Sequence, residues 1–274
     1  MIHPRLLSAV AEMVAKARTS GAAVPLIGIS GAQGSGKSTL ARAAAAKDMS
    51  IVSLSLDDAY LSRAEREALA RRLHPLFVTR GPPLTHDLEG LSALIARLRA
   101  AGPGDRTPLR TFDKLADDVA PRTDWPVFVG RPSAILLEGW CLGAAPQTAA
   151  DLAEPVNDLE REQDADGRWR GLCNQALSEG YADLTAALDG LLFLRAPSFD
   201  RVLDWRSEQQ AGLLGVPALD LDPDDRAAMA DFIAHFERIT RSMLAGNVAA
   251  DCIIDLDDDR SPRFDGSASI PPAP

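Results

Sequence analysis

The stretch VPLIGIS, residues 24–30, runs directly into GAQGSGKS, residues 31–38. The first half is a short apolar run ending at glycine, which reads as a strand buried on both faces. The second half fits G-x-x-x-x-G-K-[ST] at every defined position. Its context is the one the motif requires: a strand before it and an Ala-rich, helix-prone segment, Lys37 to Ala46, after it. The glycines let successive backbone N–H groups turn toward one anion without Cβ clashes. The helix starting near Lys37 aims its positive dipole end at the same point. Lys37 is placed to reach the β and γ phosphates of a nucleotide, and the Ser38 hydroxyl to ligate Mg²⁺.

Outward from this loop, short apolar runs alternate with helical patterns. IVSLSL (51–56), AILL (134–137), LLFL (191–194) and the run 253–256 read as further buried strands, and 109–112 as a short one. Leu6, Leu7, Val10, Met13, Val14 and Ala17 mark an N-terminal helix. Ser62 with Glu65 three residues on marks the start of another. Leu88, Leu91, Leu94, Ile95 and Leu98 form one stripe, and Met229, Phe232, Ile233, Phe236, Ile239 and Met243 a second. The alternation predicts an α/β fold, a P-loop three-layer sandwich with a mostly parallel sheet and helices on both faces. Residues 1–260 are expected to form a single domain, with insert or lid elements over about 146–180 and 198–215. Residues 261–274, with Pro, Ser and Gly, are expected to be a poorly ordered tail.

The chain has 274 residues, 29 Lys and Arg against 39 Asp and Glu, and a net charge of −10. That balance disfavours a nucleic-acid binder held by counterion release. No apolar run approaches the roughly 18 residues of a membrane helix. The N-terminal segment intersperses Arg5, Glu12, Lys16 and Arg18 among its apolar residues, so it reads as part of the fold rather than a secretory signal. Cys141, Cys173 and Cys252 are far apart and show no zinc-type or CxxC spacing, so a cytoplasmic setting is expected.

A P-loop specifies a nucleotide and leaves the chemistry open. No N-K-x-D guanine-reading sequence is present. In open α/β sheets the chemistry sits beyond the carboxyl ends of the strands. There the sequence places Asp57 and Asp58 after the second strand, and Glu138 after AILL. A phosphoryl-transfer site needs a group to orient the acceptor hydroxyl and a carboxylate near Mg²⁺. Asp57 suits the first task and Glu138 the second; a helix cap and a solvated turn are the plainer alternatives. In the segment RGPPLTHD, residues 80–87, Arg80 suits an anionic acceptor. Asp87 reads better as the cap of the following helix, and His86 as a structural histidine. Phe112-Asp113-Lys114, followed by Asp117 and Asp118, fits an acceptor site or a salt-linked surface loop equally well. Arg201, Trp205 and Arg206 fall on one helix; by spacing alone it is an exposed amphipathic helix with Trp205 in the core.

The motifs taken together narrow this. GISGAQGSGKSTL, SLDDAYL, TRGPPLTHD, FDK with the following DD, LEGWCLGA, DGRWR and DWRSEQQ occur in that order. The sequence resembles the bacterial and plant-type glycerate kinases, within the wider P-loop group of uridine kinase, phosphoribulokinase and pantothenate kinase. The resemblance runs from about Ala23 to Arg260. It implies ATP on Gly31, Ala32, Gln33, Gly34, Ser35, Gly36, Lys37, Ser38 and Thr39. It implies Mg²⁺ held near Ser38 with Glu138 and Asp57, catalysis by Lys37, by Asp57 as base and by Arg206 on a lid, and an acceptor pocket of Arg80, Thr85, His86, Asp87, Asp113 and Lys114. The implied acceptor is a small acid, D-glycerate, with no nucleic-acid or membrane partner. The alternatives are another small-molecule kinase, acting on pantothenate, a nucleoside or a sugar phosphate, and a non-catalytic ATP-binding regulator. Three positions depart from the family pattern. Ala59 replaces an aromatic residue, Pro83-Leu84 replaces Pro-Gly, and Gln210 replaces a glutamate. Lys37, Arg80, Lys114 and Arg206 are expected to make a basic pocket in an acidic chain, with surplus acid around 222–225 and 255–259.

Overall fold

Each central strand divides its apolar residues between two cores, which is why the strands read as unbroken hydrophobic runs. The computed structural model describes residues 2–214 and 222–263, and for residues 209–214, 223 and 225 the backbone alone. In chain order the elements are α1 (Pro4–Thr19), β1 (Leu26–Gly31), α2 (Lys37–Lys47), β2 (Ile51–Ser55), α3 (Arg63–Arg72), α4 (Leu88–Ala100), β3 (Arg106–Pro108), β4 (Phe112–Asp113), β5 (Asp118–Val119), β6 (Val127–Val129), β7 (Ala134–Gly139), α5 (Asp158–Gln163), α6 (Arg168–Leu177), α7 (Gly180–Ala186), β8 (Gly190–Arg195), α8 (Phe199–Leu214), α9 (Pro223–Leu244) and β9 (Cys252–Asp255). A five-stranded sheet runs β2-β7-β1-β8-β9, and every pairing in it is parallel.

Ile135 and Leu137 of β7 and Leu191 and Phe193 of β8 face one core, with α4, α7 and the C-terminal half of α9. Ala134, Leu136, Leu192 and Leu194 face the other, with α1, α2 and α8. The expected three-layer α/β architecture is the one found. Gly28 of β1 makes the close packing possible: a Cβ there would lie 2.5 Å from Leu191 Cδ1. The capping box predicted at Ser62 and Glu65 is present on α3, with both reciprocal hydrogen bonds made.

The segment 109–112 is not a strand of its own. Residues 106–108 pair with 127–129, residues 112–113 pair with 118–119, and neither two-stranded piece joins the main sheet. The Arg110 side chain instead spans the break, donating to Asp87 Oδ2 and to the Tyr60 carbonyl. The polar stretch 146–180 is tied into the body of the protein by buried ion pairs. Arg238 of α9 grips Glu160 through Nε and Nη2 at 2.7 and 2.6 Å, and Arg170 holds Asp164 at 2.9 Å. Residue 215 of the expected lid, the Gln210 side chain and the tail from 264 lie outside the described residues.

Candidate active site

The phosphate loop takes the shape its glycines allow. Gly34 and Gly36 adopt φ of 77° and 89°, values that L side chains rarely tolerate. Gly36 stands at the N-cap of α2, and a Cβ there would meet nothing within 4 Å, so the loop is open on that side. Gly34 is closed off: a Cβ would lie 2.6 Å from Cβ of Trp205 on α8. Lys37 is buried, with its Nζ 3.5 Å from the Ala32 carbonyl. Ser38 is half-buried and Thr39 exposed. Gln33 Oε1 and Ser35 Oγ are buried without a hydrogen-bond partner.

Sheet register carries the carboxylates to this loop. Glu138 lies opposite Ile29 of β1 on one side and Ser55 of β2 on the other. The Ser55 hydroxyl donates to Glu138 Oε1 at 2.6 Å and accepts the Asp57 backbone N–H at 3.3 Å. One serine thereby ties together the ends of β2 and β7. Asp57 sits in the single 3₁₀ turn that follows, Leu56–Ala59. The Tyr60 hydroxyl donates to its Oδ1 at 2.7 Å, and Lys114 Nζ lies 2.6 Å from its Oδ2. Burial alone would raise the Asp57 carboxyl. The charges of Lys114 and Lys37 and the hydrogen bonds from Lys114 and Tyr60 outweigh it and hold the group well below the usual carboxylate range. Asp58 behaves oppositely: burial lifts it above its ordinary value, against the Phe112 N–H it accepts at 3.0 Å.

Arg206 reaches the same place from α8. Burial, then the charge of Arg80, lowers its pKa, while Asp57 and Tyr60 pull it up. Arg206 is thus close enough to Arg80 and Asp57 to sense the charge of both. Arg80 is held there by an ion pair to Asp117 and by the faces of Phe112 and Phe232, 5.7 and 5.8 Å from its guanidinium carbon. Asp117, in the left-handed conformation at φ 53°, also pairs with buried Arg66 at 2.9 Å. The structure thus brings Lys37, Asp57, Glu138, Arg80, Lys114 and Arg206 around the strand ends.

The other residues expected at the acceptor have local partners. The Thr85 hydroxyl is buried and closes its own turn, accepting Gly81 N–H and donating to the Pro82 carbonyl. Asp87 caps α4 through Gly90 N–H at 2.8 Å and pairs with Arg110 at 2.6 Å. Asp113 is exposed and accepts the Leu115 and Ala116 N–H groups. His86 is buried; its Nδ1 lies 2.5 Å from the Tyr181 hydroxyl and its Nε2 has no partner. Ala59, with Asp58 and Asp87, lines a cleft of about 300 Å³ walled by Leu91, Leu94, Pro108 and Trp125.

Sequence reasoning missed Tyr181 and Arg260. Arg260 donates through Nε to the Gly34 carbonyl at 2.8 Å and stacks 5.1 Å from the Trp205 ring. No motif marks either residue; each acquires its role through a contact far along the chain.

No family model matches the chain. It is 31% identical over 199 residues to the uncharacterised kinase mug58 of Schizosaccharomyces pombe, spanning 69% of this chain and 70% of that protein. It is 34% identical over 145 residues to the chloroplastic D-glycerate 3-kinase of Arabidopsis thaliana, 48% of this chain and 31% of that one. In structure it resembles D-glycerate 3-kinase from Cryptococcus neoformans, with a TM-score of 0.72 at 19% identity, covering 94% of this chain and 96% of that one; that likeness is one of fold. Identity of 31% along more than two thirds of both chains is too much for a shared fold alone, and the chain belongs to the same P-loop kinase family as that uncharacterised kinase, a family of phosphotransferases.

Proposed function

We propose that the protein transfers the γ-phosphoryl group of ATP to a hydroxyl of a small organic acid, D-glycerate being the first candidate. The observation that carries this reading is the convergence on Asp57: Tyr60 and Lys114 hold its two oxygens, Ser55 ties it to Glu138, and the charge of Lys37 on the phosphate loop helps keep it ionised. That concentration of positive charge around one ionised carboxylate suits an anionic reaction centre.

The residues present fit the nucleotide and its metal. The open face at Gly36 and the Ser35 hydroxyl, without a partner among the described residues, suit phosphate oxygens. Ser38, Glu138 and Asp57 form an all-oxygen donor set, which suits a hard cation such as Mg²⁺. When bound, that cation neutralises phosphate charge. The chain's own residues do the rest. Lys37 and Arg206 stabilise the negative charge that spreads over the γ-phosphoryl oxygens. Asp57, fixed by Tyr60, accepts the hydroxyl proton as the new O–P bond forms and ADP departs. Arg80 and Lys114 hold the acceptor's carboxylate. α8, packed on the phosphate loop through Trp205, carries Arg206 as a lid residue.

An ADP-release assay with D-glycerate, pantothenate, a nucleoside and a sugar phosphate tests the reading. D-glycerate is expected to give the largest stimulation over background hydrolysis. No stimulation by glycerate refutes the substrate, and none by any acceptor refutes the transfer.

A further inference from the structure

The two oxygens of Asp57 are held by partners of very different mobility. Oδ1 accepts from Tyr60, a buried phenol whose ring packs against Phe112 and His86. Oδ2 is paired with Lys114 at 2.6 Å, and the Lys114 side chain is 58% exposed. Lys114 stands in the turn between β4 and β5, whose tip residue Leu115 is 98% exposed. The base of that turn is firmly anchored: Phe112 N–H donates to Asp58, and Asp117 is clamped by Arg66 and Arg80. The backbone stays in place while the four-carbon lysine stem can swing.

We infer that Lys114 is a positioning residue that latches Asp57 shut, and that only an anionic acceptor opens the latch. The inference rests on the reading of Asp57 as the base. A carboxylate on the acceptor competes for the Lys114 ammonium and draws it from Oδ2, leaving Oδ2 to take the acceptor's hydroxyl proton. In that step the acceptor oxygen bonds to the γ-phosphorus of ATP, the bond to the bridging oxygen breaks, ADP leaves with that electron pair, and the proton goes to Asp57. Water has the same proton to give and carries no charge to move Lys114. The latch therefore suppresses hydrolysis of ATP until an acid occupies the site.

The test measures ADP release with and without D-glycerate in wild type, Lys114→Met and the double variant Lys114→Met with Asp57→Asn. Lys114→Met is expected to raise acceptor-free hydrolysis about fivefold, the change in base availability that follows from losing a partly exposed ion pair. Asp57→Asn in the Lys114→Met background removes the excess. Acceptor-free hydrolysis in Lys114→Met at or below wild type overturns the latch, as does an excess that survives Asp57→Asn. Failure of the substrate reading is seen separately, as absence of glycerate stimulation in wild type; the acceptor-free arms still decide the latch.

Discussion

His86 gives the protein a stability that acid should remove by a predictable amount. It is 6% exposed, and burial pushes its pKa from 6.5 down to about 4, against the pull of Asp57. The neutral ring is the one the surroundings demand. The Tyr181 hydroxyl is kept protonated by burial and lies 2.5 Å from His86 Nδ1. Donating its hydrogen to Nδ1 requires the neutral ring, because an imidazolium has no acceptor to offer. Because the folded value lies below the unfolded one, the stabilisation is complete above pH 6.5 and is lost as pH falls toward 4. The full difference amounts to roughly 3 kcal/mol, of which about 2 kcal/mol is gone by pH 5. The measurement is unfolding free energy in urea at pH 7 and pH 5, for wild type and His86→Gln. Wild type should lose about 2 kcal/mol more than the variant between the two pH values. Parallel losses would refute the buried neutral histidine, since every other titrating group is common to both proteins.

The other predictions concern the loops around the site. Leu84 holds φ 78° and is half-buried; Leu84→Ala keeps the backbone strain and loses packing, whereas Leu84→Gly releases the strain, so the glycine variant should be the more stable by about 1 kcal/mol in urea unfolding, reversing the usual order. Gly34→Ala meets both a positive φ and the Trp205 Cβ at 2.6 Å; a loss of at least about 2 kcal/mol in stability, with weaker nucleotide binding by calorimetry, is expected. Asp57→Asn should remain folded, with a lower melting temperature from the lost Lys114 pair, and lower kcat about 100- to 10,000-fold; near-normal turnover would remove Asp57 from the role of base.

The parts of the fold that local sequence dictates were legible. The apolar runs, the Ser62 capping box, the α4 stripe and the glycine loop all depend on neighbours within a turn or a strand. The loop 80–87 was half legible. Its prolines and the Asp87 cap follow from local rules, but the left-handed conformation of Leu84 shows only in three dimensions. The strand expected over 109–112 failed because Arg110 finds Asp87 and the Tyr60 carbonyl, partners 23 and 50 residues away. Spacing could not decide whether Trp205 or Arg206 was the informative residue on α8. They are adjacent and do different work, Trp205 against Gly34 and Arg206 beside Arg80.

The acidic surplus also proves to be more than a solvated surface. The run 255–259 was expected to hold unspent negative charge, yet Asp255 pairs with Arg195, Asp257 with Arg263 and Asp258 with Arg201. Such exposed pairs contribute little to stability one at a time. Their effect is geometric. Between them the chain makes a turn in which Asp257 N–H donates to the Ser261 carbonyl and Arg260 N–H to the Asp257 carbonyl. Arg260, at φ 67°, is thereby aimed at the Gly34 carbonyl. Trp205 Nε1 donates to the Asp258 carbonyl at 2.8 Å from the other side. The acidic segment after β9 is thus fastened to α8 and to the phosphate loop at once. α8 is the helix that carries Arg206 to the site. A site that gathers Arg80 and Arg206 near Asp57 needs both anchored to something rigid. Asp117 anchors the first, and this acidic turn, through Trp205, anchors the helix of the second.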